Sequence, residues 1–279
     1  SLVDVAAFPD HKRLEGINVN GTANVIKACV KQNVSRLVYT SSIDVVIDKS
    51  WRPYEDAVES ESYPVTHLFE AYGNSKCRAE QLVLAANGTQ LGNGTETLQT
   101  ASVRPTTMYG EADSGYIKHL QIAANGFFGR LADITGCGVQ SLTYGGNVAW
   151  VQVLASQALK HNPSGVGGQA FFVTDDTPKM MFNEFAEPFL EARGLCLTKF
   201  RMPYWIVYVA VCLIQLFCLM LRPLGDIGPK LYTRSTFMHG GRMLTFSRRK
   251  AQELLGYTPV FTYQESFERS MAYYEHVPL

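Results

Sequence analysis

Short apolar segments alternate with longer stretches of helical spacing along this chain, and this alternation constrains the fold most. The segments are a predicted strand over residues 36–40, a helix over 68–87, a strand over 98–103, a helix over 147–161 with Asn147 as its N-cap, and a strand over 168–174. Each strand is compact and stops at polar or turn-forming residues. Strands that alternate with helices of about this length are typical of parallel βαβ units. We therefore expect an α/β fold built on a parallel sheet.

The first residues follow the same alternation. Residues 1–8 are predicted to form a short buried strand, and residues 18–32 a helix with Val25, Ile26 and Cys29 on one face. The chain opens directly on an apolar stretch, without an initiator methionine. This pattern is typical of a fragment, and we expect an N-terminal segment to precede Ser1 in the parent protein.

Charge and cysteine content exclude two classes of function. Lys plus Arg and Asp plus Glu number 25 each, so the chain has no net field that would hold nucleic acid. The cysteines are at positions 29, 77, 137, 196, 212 and 218, and no two form a Cys-x-x-Cys pair. Because metal sites need clustered ligands, we expect no metal centre.

One segment, Met202–Leu221, carries no charge and one strongly polar side chain, Gln215. Its 20 residues are long enough to cross the hydrocarbon core of a bilayer. Tyr204 and Trp205 at one end suit the membrane interface, and Arg201 precedes the segment. We expect a membrane-associated helix, either spanning the bilayer or lying on it; a buried core helix is the alternative.

The pair most suggestive of chemistry is Tyr72 and Lys76 on the predicted helix over 68–87. The i, i+4 spacing puts both side chains on one helix face. A free tyrosine, with a pKa near 10, is a poor base at neutral pH. A neighbouring ammonium favours the phenolate and can draw that pKa toward 7, which removal of a proton from an alcohol requires.

Three further features lie at strand ends or beside them. Ser42 closes the strand over 36–40, Asn18 opens the helix before it, and Arg104-Pro105 closes the strand over 98–103. Open α/β sheets bind ligands at the carboxyl ends of their strands. These residues therefore join Tyr72 and Lys76 as candidate site residues.

Together these motifs resemble the extended short-chain dehydrogenases/reductases, and within them the 3β-hydroxysteroid dehydrogenase/Δ5-isomerase family. The motifs that carry the resemblance are Asn18-Val-Asn-Gly-Thr, Leu37-Val-Tyr-Thr-Ser-Ser42, Tyr72-Gly-Asn-Ser-Lys76, Val103-Arg-Pro105, Gly146-Asn-Val-Ala-Trp150, Asp175-Asp-Thr-Pro178 and Leu255-Gly-Tyr-Thr-Pro259. The resemblance covers essentially the whole chain. It implies a Rossmann-type doubly wound parallel sheet in residues 1–174 and a smaller C-terminal substrate lobe in residues 175–279, which includes the apolar segment.

The resemblance also implies an activity and a set of roles. The chain would oxidise the 3β-hydroxyl of a steroid-like substrate with NAD. The family's second reaction is a Δ5–Δ4 isomerisation, and no residue of this sequence can be assigned to it. Tyr72 would be the acid/base, Lys76 would lower its pKa and bind the nicotinamide ribose, and Ser42 would position the substrate oxygen. Asn18 would belong to the proton relay.

The remaining implied properties concern the cofactor and the partners. The Arg104-Pro105 turn would lie against the nicotinamide end of NAD. Members of the family attach to membranes, and the resemblance implies that the apolar segment does the same here. The segment would then contact membrane lipid in the endoplasmic reticulum or the mitochondrion. A homodimer is a further expectation.

The sequence departs from the family's pattern in one respect. The family begins with a strand, a glycine-rich turn and a helix that binds the pyrophosphate, and no Gly-x-x-Gly-x-x-Gly turn occurs in this chain. We therefore expect the first strands of the sheet to be missing and this polypeptide by itself to bind NAD poorly. The residue that distinguishes NAD from NADP would lie in the missing part.

Three other functions stay open. A sterol-4-carboxylate 3-dehydrogenase and a nucleotide-sugar epimerase share the Ser-Tyr-Lys set. Sugar epimerases normally lack a long apolar segment, and the motifs at Gly146 and Asp175 favour the isomerase-type branch. A catalytically inactive, membrane-associated binding protein is the third, supported by the missing phosphate loop and opposed by the intact Ser42, Tyr72 and Lys76.

Overall fold

The protein is described by a computed structural model over residues 2–113, 115–221 and 233–278. Its strands are β1 (Arg36–Thr40), β2 (Tyr54–Ala57), β3 (Gln99–Pro105), β4 (Thr107–Tyr109), β5 (Arg130–Thr135), β6 (Leu142–Tyr144), β7 (Gln169–Val173), β8 (Cys196–Pro203) and β9 (Leu244–Phe246). Its α-helices are α1 (His11–Leu14), α2 (Gly21–Lys31), α3 (Glu70–Ala85), α4 (Tyr116–Gly126), α5 (Gly145–His161), α6 (Pro163–Val166), α7 (Phe182–Glu191), α8 (Tyr204–Leu221), α9 (Arg234–Gly240), α10 (Arg249–Leu255) and α11 (Tyr263–Tyr274).

The central sheet is parallel, with strand order β1-β3-β7. Alternate residues of β3 face opposite sides because side chains along a strand alternate. Ala101 and Val103 pack with Val151 and Ala155 of α5. On the other face, the Thr100 hydroxyl donates to a carbonyl of α3. A parallel sheet with helices on both faces confirms the predicted doubly wound fold.

The predicted strand over residues 1–8 is wrong. A strand needs a neighbour that pairs with its backbone, and side chains take that place here. The Leu2 N–H donates to Asn18 Oδ1, and Asn18 Nδ2 donates back to the Leu2 carbonyl. The Asp4 carboxylate accepts from the backbone N–H groups of Ala6 and Asp10. The segment is therefore irregular, and the following helical region begins earlier than predicted, with α1 and a π-helical turn over Glu15–Asn20 leading into α2.

The helix α5 begins two residues before its predicted N-cap. Asn147 lies inside the helix, and its buried amide group donates to Asp175 and to the Phe261 carbonyl. Asn147 Oδ1 also accepts from the Phe261 N–H. Asn147 therefore links α5 to the segment that follows β7 and to the segment that precedes α11. The N-cap prediction is wrong because the Asn147 side chain bonds to these distant segments and not to the first turn of its own helix.

A second hydrophobic core lies beside the sheet. It combines Tyr109, Leu120 and Tyr144 with Phe189 and Tyr274 from the later part of the chain. The short parallel pairs β4–β6 and β5–β8 border it. After this core the chain returns to the central sheet, where Ala251 and Leu255 of α10 pack near β7.

The predicted apolar helix is present as α8. It is 18 residues long, has a mean hydropathy of 2.3 and is 11% buried. By length and composition it could cross a membrane, and its low burial is unlike that of a core helix.

Candidate active site

Ser42 lies just beyond the carboxyl end of β1, where the chain turns into a short 3₁₀ helix over Ile43–Val45. The Ser42 hydroxyl caps this turn by accepting from the Asp44 N–H at 3.2 Å, and it donates to Asp44 Oδ2 at 2.8 Å. This double contact fixes the direction of the hydroxyl. The Ser42 oxygen can then accept one further hydrogen bond at the strand end.

Tyr72 on α3 lies next to this serine, and its hydroxyl is hydrogen-bonded to Ser42. Gly73 makes the approach of α3 possible, since a Cβ at this position would lie 2.7 Å from His67 Cβ and 3.1 Å from the Asp44 carbonyl oxygen. Close packing therefore explains why the second position of the Tyr-Gly-Asn-Ser-Lys motif is a glycine. It lets the helix that carries Tyr72 touch the loop that carries Ser42.

Lys76 is buried one turn after Tyr72. Its Nζ donates to the Thr40 carbonyl at 2.6 Å and lies 4.4 Å from the centroid of the Tyr39 ring. Burial lowers the pKa of Lys76 to about 8, although the carboxylates of Glu80 and Asp44 favour its charged form. The lysine is thus attached to the end of β1, beside the residues that precede Ser42.

The pKa of Tyr72 is raised above its ordinary value, opposite to the direction expected from the Tyr-x-x-x-Lys spacing. Burial is the largest cause, and the negative charge of Asp44 adds to it, while the hydrogen bond with Ser42 acts the other way. In this structure Tyr72 is therefore a neutral phenol at neutral pH.

Asp44 is a site residue that the sequence reasoning missed. Burial raises its pKa to about 6, although the Ser42 hydroxyl and the charges of Arg242 and Lys76 favour the carboxylate. Asp44 Oδ1 is buried and has no hydrogen-bond partner among the described residues. His239 Nε2 lies 3.9 Å from this oxygen, and burial lowers the pKa of His239 to about 3, so its ring is neutral. The available signal was the position of Asp44 two residues after Ser42.

Asn18 lies behind Ser42, Tyr72 and Lys76, on the far side of the Tyr72 backbone. It is fully buried, and its Nδ2 donates to Ser75 Oγ at 3.0 Å. Ser75 Oγ in turn donates to the Tyr72 carbonyl at 2.8 Å. Asn18 therefore connects the N-terminal segment to the turn of α3 that carries Tyr72.

Arg104 does not project toward Ser42 as a free cation. Its Nη2 lies 2.6 Å from Glu80 Oε1, both side chains are buried, and Glu80 also accepts from the hydroxyls of Ser102 and Tyr63. The predicted turn at Arg104-Pro105 is also wrong, because β3 runs through Pro105, which pairs with Val173 of β7. The guanidinium instead holds α3 against the sheet.

The structure thus brings Ser42, Tyr72 and Lys76 together at the carboxyl end of β1, with Asp44 beside them. A serine at the end of a parallel strand and a Tyr-x-x-x-Lys pair on the next long helix define a short-chain dehydrogenase/reductase. A sequence model of the family described as "3-beta hydroxysteroid dehydrogenase/isomerase family" matches residues 1–204. The chain belongs to this family.

Individual relatives agree with the family match. The chain is 36% identical over 274 residues to mouse (Mus musculus) 3 beta-hydroxysteroid dehydrogenase type 7, and 35% identical over 277 residues to the human (Homo sapiens) protein of the same name. Both matches cover 97% of this chain and 73% of the relative. The crystal structure of DesIV, a dTDP-glucose 4,6-dehydratase from Streptomyces venezuelae with NAD and TYD bound, is similar with a TM-score of 0.62 at 16% identity. It covers 93% of this chain, and the match takes in 66% of DesIV. At that identity the similarity shows the fold alone.

The residues at the end of β1 fit the nicotinamide end of a dinucleotide cofactor. Ser41 Oγ is buried and has no hydrogen-bond partner among the described residues, although buried hydroxyls are usually paired. The Lys76 ammonium carries three donors, of which the structure records one, on the Thr40 carbonyl. Donors thus converge where parallel sheets bind nucleotides. Within the described residues no group of three His, Cys, Asp or Glu side chains could hold a metal ion.

Proposed function

We propose that this protein oxidises the 3β-hydroxyl of a steroid-like substrate, with NAD as the cofactor. The observation that carries the proposal is the hydrogen-bonded Ser42–Tyr72 pair at the carboxyl end of β1, in a chain of the 3-beta hydroxysteroid dehydrogenase/isomerase family. The names of the mouse and human relatives support the same substrate class.

In this proposal Ser42 and Tyr72 hold the oxygen of the reacting hydroxyl, and Tyr72 takes its proton. NAD, when bound, supplies the hydride acceptor. Tyr72 must first lose its own proton, since its raised pKa keeps it a phenol. Ser42 is hydrogen-bonded to Tyr72 and donates to Asp44 Oδ2, so in this proposal the phenol proton passes by way of Ser42 to the Asp44 carboxylate, whose pKa is about 6.

Lys76 has the role of holding the nicotinamide ribose and of providing positive charge near Tyr72. Its pKa of about 8 leaves it mostly protonated at neutral pH. Asn18 acts on the Tyr72 backbone through Ser75. Pro105 would lie near the nicotinamide at the end of β3, whereas Arg104 acts by fixing α3 through Glu80.

We further propose that the substrate lobe receives the steroid. The division into residues 1–174 and 175–279 remains a prediction. The second core supports a separate lobe beside the sheet, but it takes residues from both ranges. The family description also names an isomerase, and no residue here is assigned to a Δ5–Δ4 isomerisation.

We also propose that the protein is associated with a membrane of the endoplasmic reticulum or the mitochondrion through α8, in contact with lipid. The support is the low burial and high hydropathy of this helix. A homodimer remains a prediction.

The test is NADH formation by the full-length protein from a 3β-hydroxy-Δ5-steroid, with Tyr72→Phe alongside. We expect the variant to lose about 100-fold or more of the turnover, because a positioned acid/base contributes that much. Binding of NADH, followed by the fluorescence of its reduced nicotinamide, should survive in the variant and serves as its control. Normal turnover by the variant would show that Tyr72 is not the acid/base. No turnover by the wild type with NAD bound would move the substrate to another sterol or a sugar nucleotide.

A further inference from the structure

The helix α8 has two different sides. Its less exposed positions include Tyr204, Tyr208, Val211, Gln215 and Cys218, which recur every three or four residues and form a single stripe. The exposed positions, called the outer arc below, are Trp205, Ile206, Val209, Ala210, Leu213, Ile214, Leu216, Phe217, Leu219 and Met220. Every residue of the outer arc is apolar, and Leu213 and Met220 are 61% and 64% exposed. A surface helix in water has its polar residues on this side.

The stripe is attached to the rest of the protein along most of the helix. The Tyr204 hydroxyl donates to the Phe237 carbonyl at 2.5 Å, in the first turn of α8. Further along, Arg234 Nε donates to the Tyr208 hydroxyl and the Arg234 N–H donates to Gln215 Oε1, both at 2.9 Å. Gln215 also lines a groove together with Phe8 and Arg234. The folded domain therefore borders α8 from its first turn as far as Gln215.

We propose that α8 lies along the surface of a lipid bilayer, with its outer arc inserted into one leaflet, and does not cross the membrane. This inference rests on the membrane association proposed above and gives its geometry. A crossing helix is surrounded by about 30 Å of hydrocarbon. At about 1.5 Å per residue, α8 is ~27 Å long, and the folded domain, which carries the charged Arg234, borders it from Tyr204 to Gln215. Crossing would draw that domain into the hydrocarbon, where charged and unpaired polar groups are costly.

The surroundings of α8 favour lipid over a second protein chain as the occupant. Trp51 packs edge-on against the rings of Tyr204 and Tyr208, with centroids 6.2 and 5.4 Å away, and is itself 48% exposed. Such an aromatic group at the edge of an apolar surface suits the headgroup level of a bilayer. Within the part of the chain that the structure describes, Arg234 donates to the Tyr208 hydroxyl and the Gln215 amide oxygen and pairs with no carboxylate, so its charge is available to a lipid phosphate.

The same geometry places the active site next to the membrane. One helix, α9, contacts α8 through the Phe237 carbonyl and Arg234, and carries His239 to within 3.9 Å of Asp44. The candidate site is therefore one helix away from the proposed membrane surface.

Depth measurements in vesicles test the orientation. Val209, Leu213 and Met220 point in the same direction within the outer arc. Each is replaced in turn by Trp in a full-length protein in which the three native tryptophans, Trp51, Trp150 and Trp205, have been replaced by Phe. The fluorescence is then quenched with phosphatidylcholine brominated at different acyl positions. We expect the three probes to report one common shallow depth. Depths that spread over ~17 Å, the axial distance from residue 209 to residue 220, would overturn the in-plane orientation while leaving membrane association intact.

Charge substitution tests the occupant. Leu213→Glu combined with Phe217→Glu should reduce co-sedimentation with phosphatidylcholine vesicles at least tenfold, whereas Val65→Glu, at a fully exposed apolar position away from α8, should not. Circular dichroism checks that each variant is folded. A wild-type protein that does not sediment with vesicles overturns membrane association itself. Variants that lose a dimer in light scattering, with vesicle binding unchanged, overturn the proposal in favour of a second copy.

Discussion

Asp44 gives the active site its unusual electrostatics. It is a buried carboxyl that neighbours Ser42, Lys76 and Arg242, and the net effect of these surroundings is a pKa of about 6. Burial is the main reason that the pKa of Tyr72 is raised, and the charged form of Asp44 adds to that rise. The protonation of one carboxyl group therefore affects both the stability of the fold near the site and the pKa of Tyr72.

The first consequence is a pH-dependent stability. A carboxyl whose pKa is 3.8 in the unfolded chain and about 6 in the folded protein destabilises the fold progressively from about pH 4 to pH 6, and fully above that. The full cost is about 3 kcal/mol. We expect Asp44→Asn to raise the free energy of unfolding by up to about 3 kcal/mol at pH 7.5, and to change it little at pH 4. Urea unfolding at the two pH values measures this.

Asp48 provides a matched control, because the shift of its pKa and the expected change in stability on replacement by Asn are both opposite in sign to those of Asp44. Asp48 is paired with Arg52 and accepts from Ser50, and the net effect of its partners lowers its pKa despite partial burial. Asp48→Asn should therefore lower stability at pH 7.5. An Asp44→Asn variant that is less stable than wild type at pH 7.5 would mean that attraction to Lys76 and Arg242 outweighs the burial of the carboxylate.

At this scale the sequence predicted that Ser42, Tyr72 and Lys76 lie together but not the electrostatics of their surroundings. Ser42, Tyr72 and Lys76 follow from motif order and strand ends. The rise in the pKa of Tyr72 could not be predicted, because helical spacing shows a neighbouring lysine but not the burial of both groups. His239 approaches Asp44 from a distant part of the chain, and no local pattern shows that contact.

Gly73 sets the distance between α3 and the loop after β1. A side chain there would have to displace His67 or the Asp44 backbone. We expect Gly73→Ala to lower turnover at least tenfold, because a small displacement of Tyr72 from Ser42 degrades the geometry of proton transfer. NADH formation and thermal unfolding measure the effect.

Gly16→Ala is the control for Gly73→Ala. Gly16 lies in the helical region near the N-terminus, and a Cβ there would meet nothing within 4 Å. It should leave turnover unchanged. Equal loss in both variants would argue against a specific role for the α3 approach.

Elements with a strong local pattern were predicted well, and those that depend on partners were not. The strands β1, β3 and β7 and the helices α3, α5 and α8 lie close to their predicted ranges. The segment over residues 1–8 is apolar enough for a strand, but Asn18 binds the backbone of Leu2 in place of a neighbouring strand. The end of β3 was placed before Arg104 because proline rarely continues a strand, yet Pro105 occupies its last position, which the ladder tolerates.

The whole molecule interleaves its two cores. The chain leaves the central sheet after β3, builds part of the second core, returns through α5 and β7, leaves again for α7 and α8, and comes back with α10. The boundary at residue 174 remains a prediction, and residues from both of its sides contribute to the second core. Sequence periodicity shows where elements lie but not which core each one joins.

The outer arc of α8 has a consequence for how the enzyme would be assayed. An enzyme held on a leaflet meets a lipid-soluble substrate by lateral diffusion in two dimensions, so its rate follows the surface concentration of that substrate. Diluting the steroid with inert phosphatidylcholine at a constant total amount of steroid should slow NADH formation in proportion to its mole fraction. The Leu213→Glu, Phe217→Glu variant should lose that dependence. A wild-type rate that depends only on the total steroid would instead indicate capture from the aqueous phase.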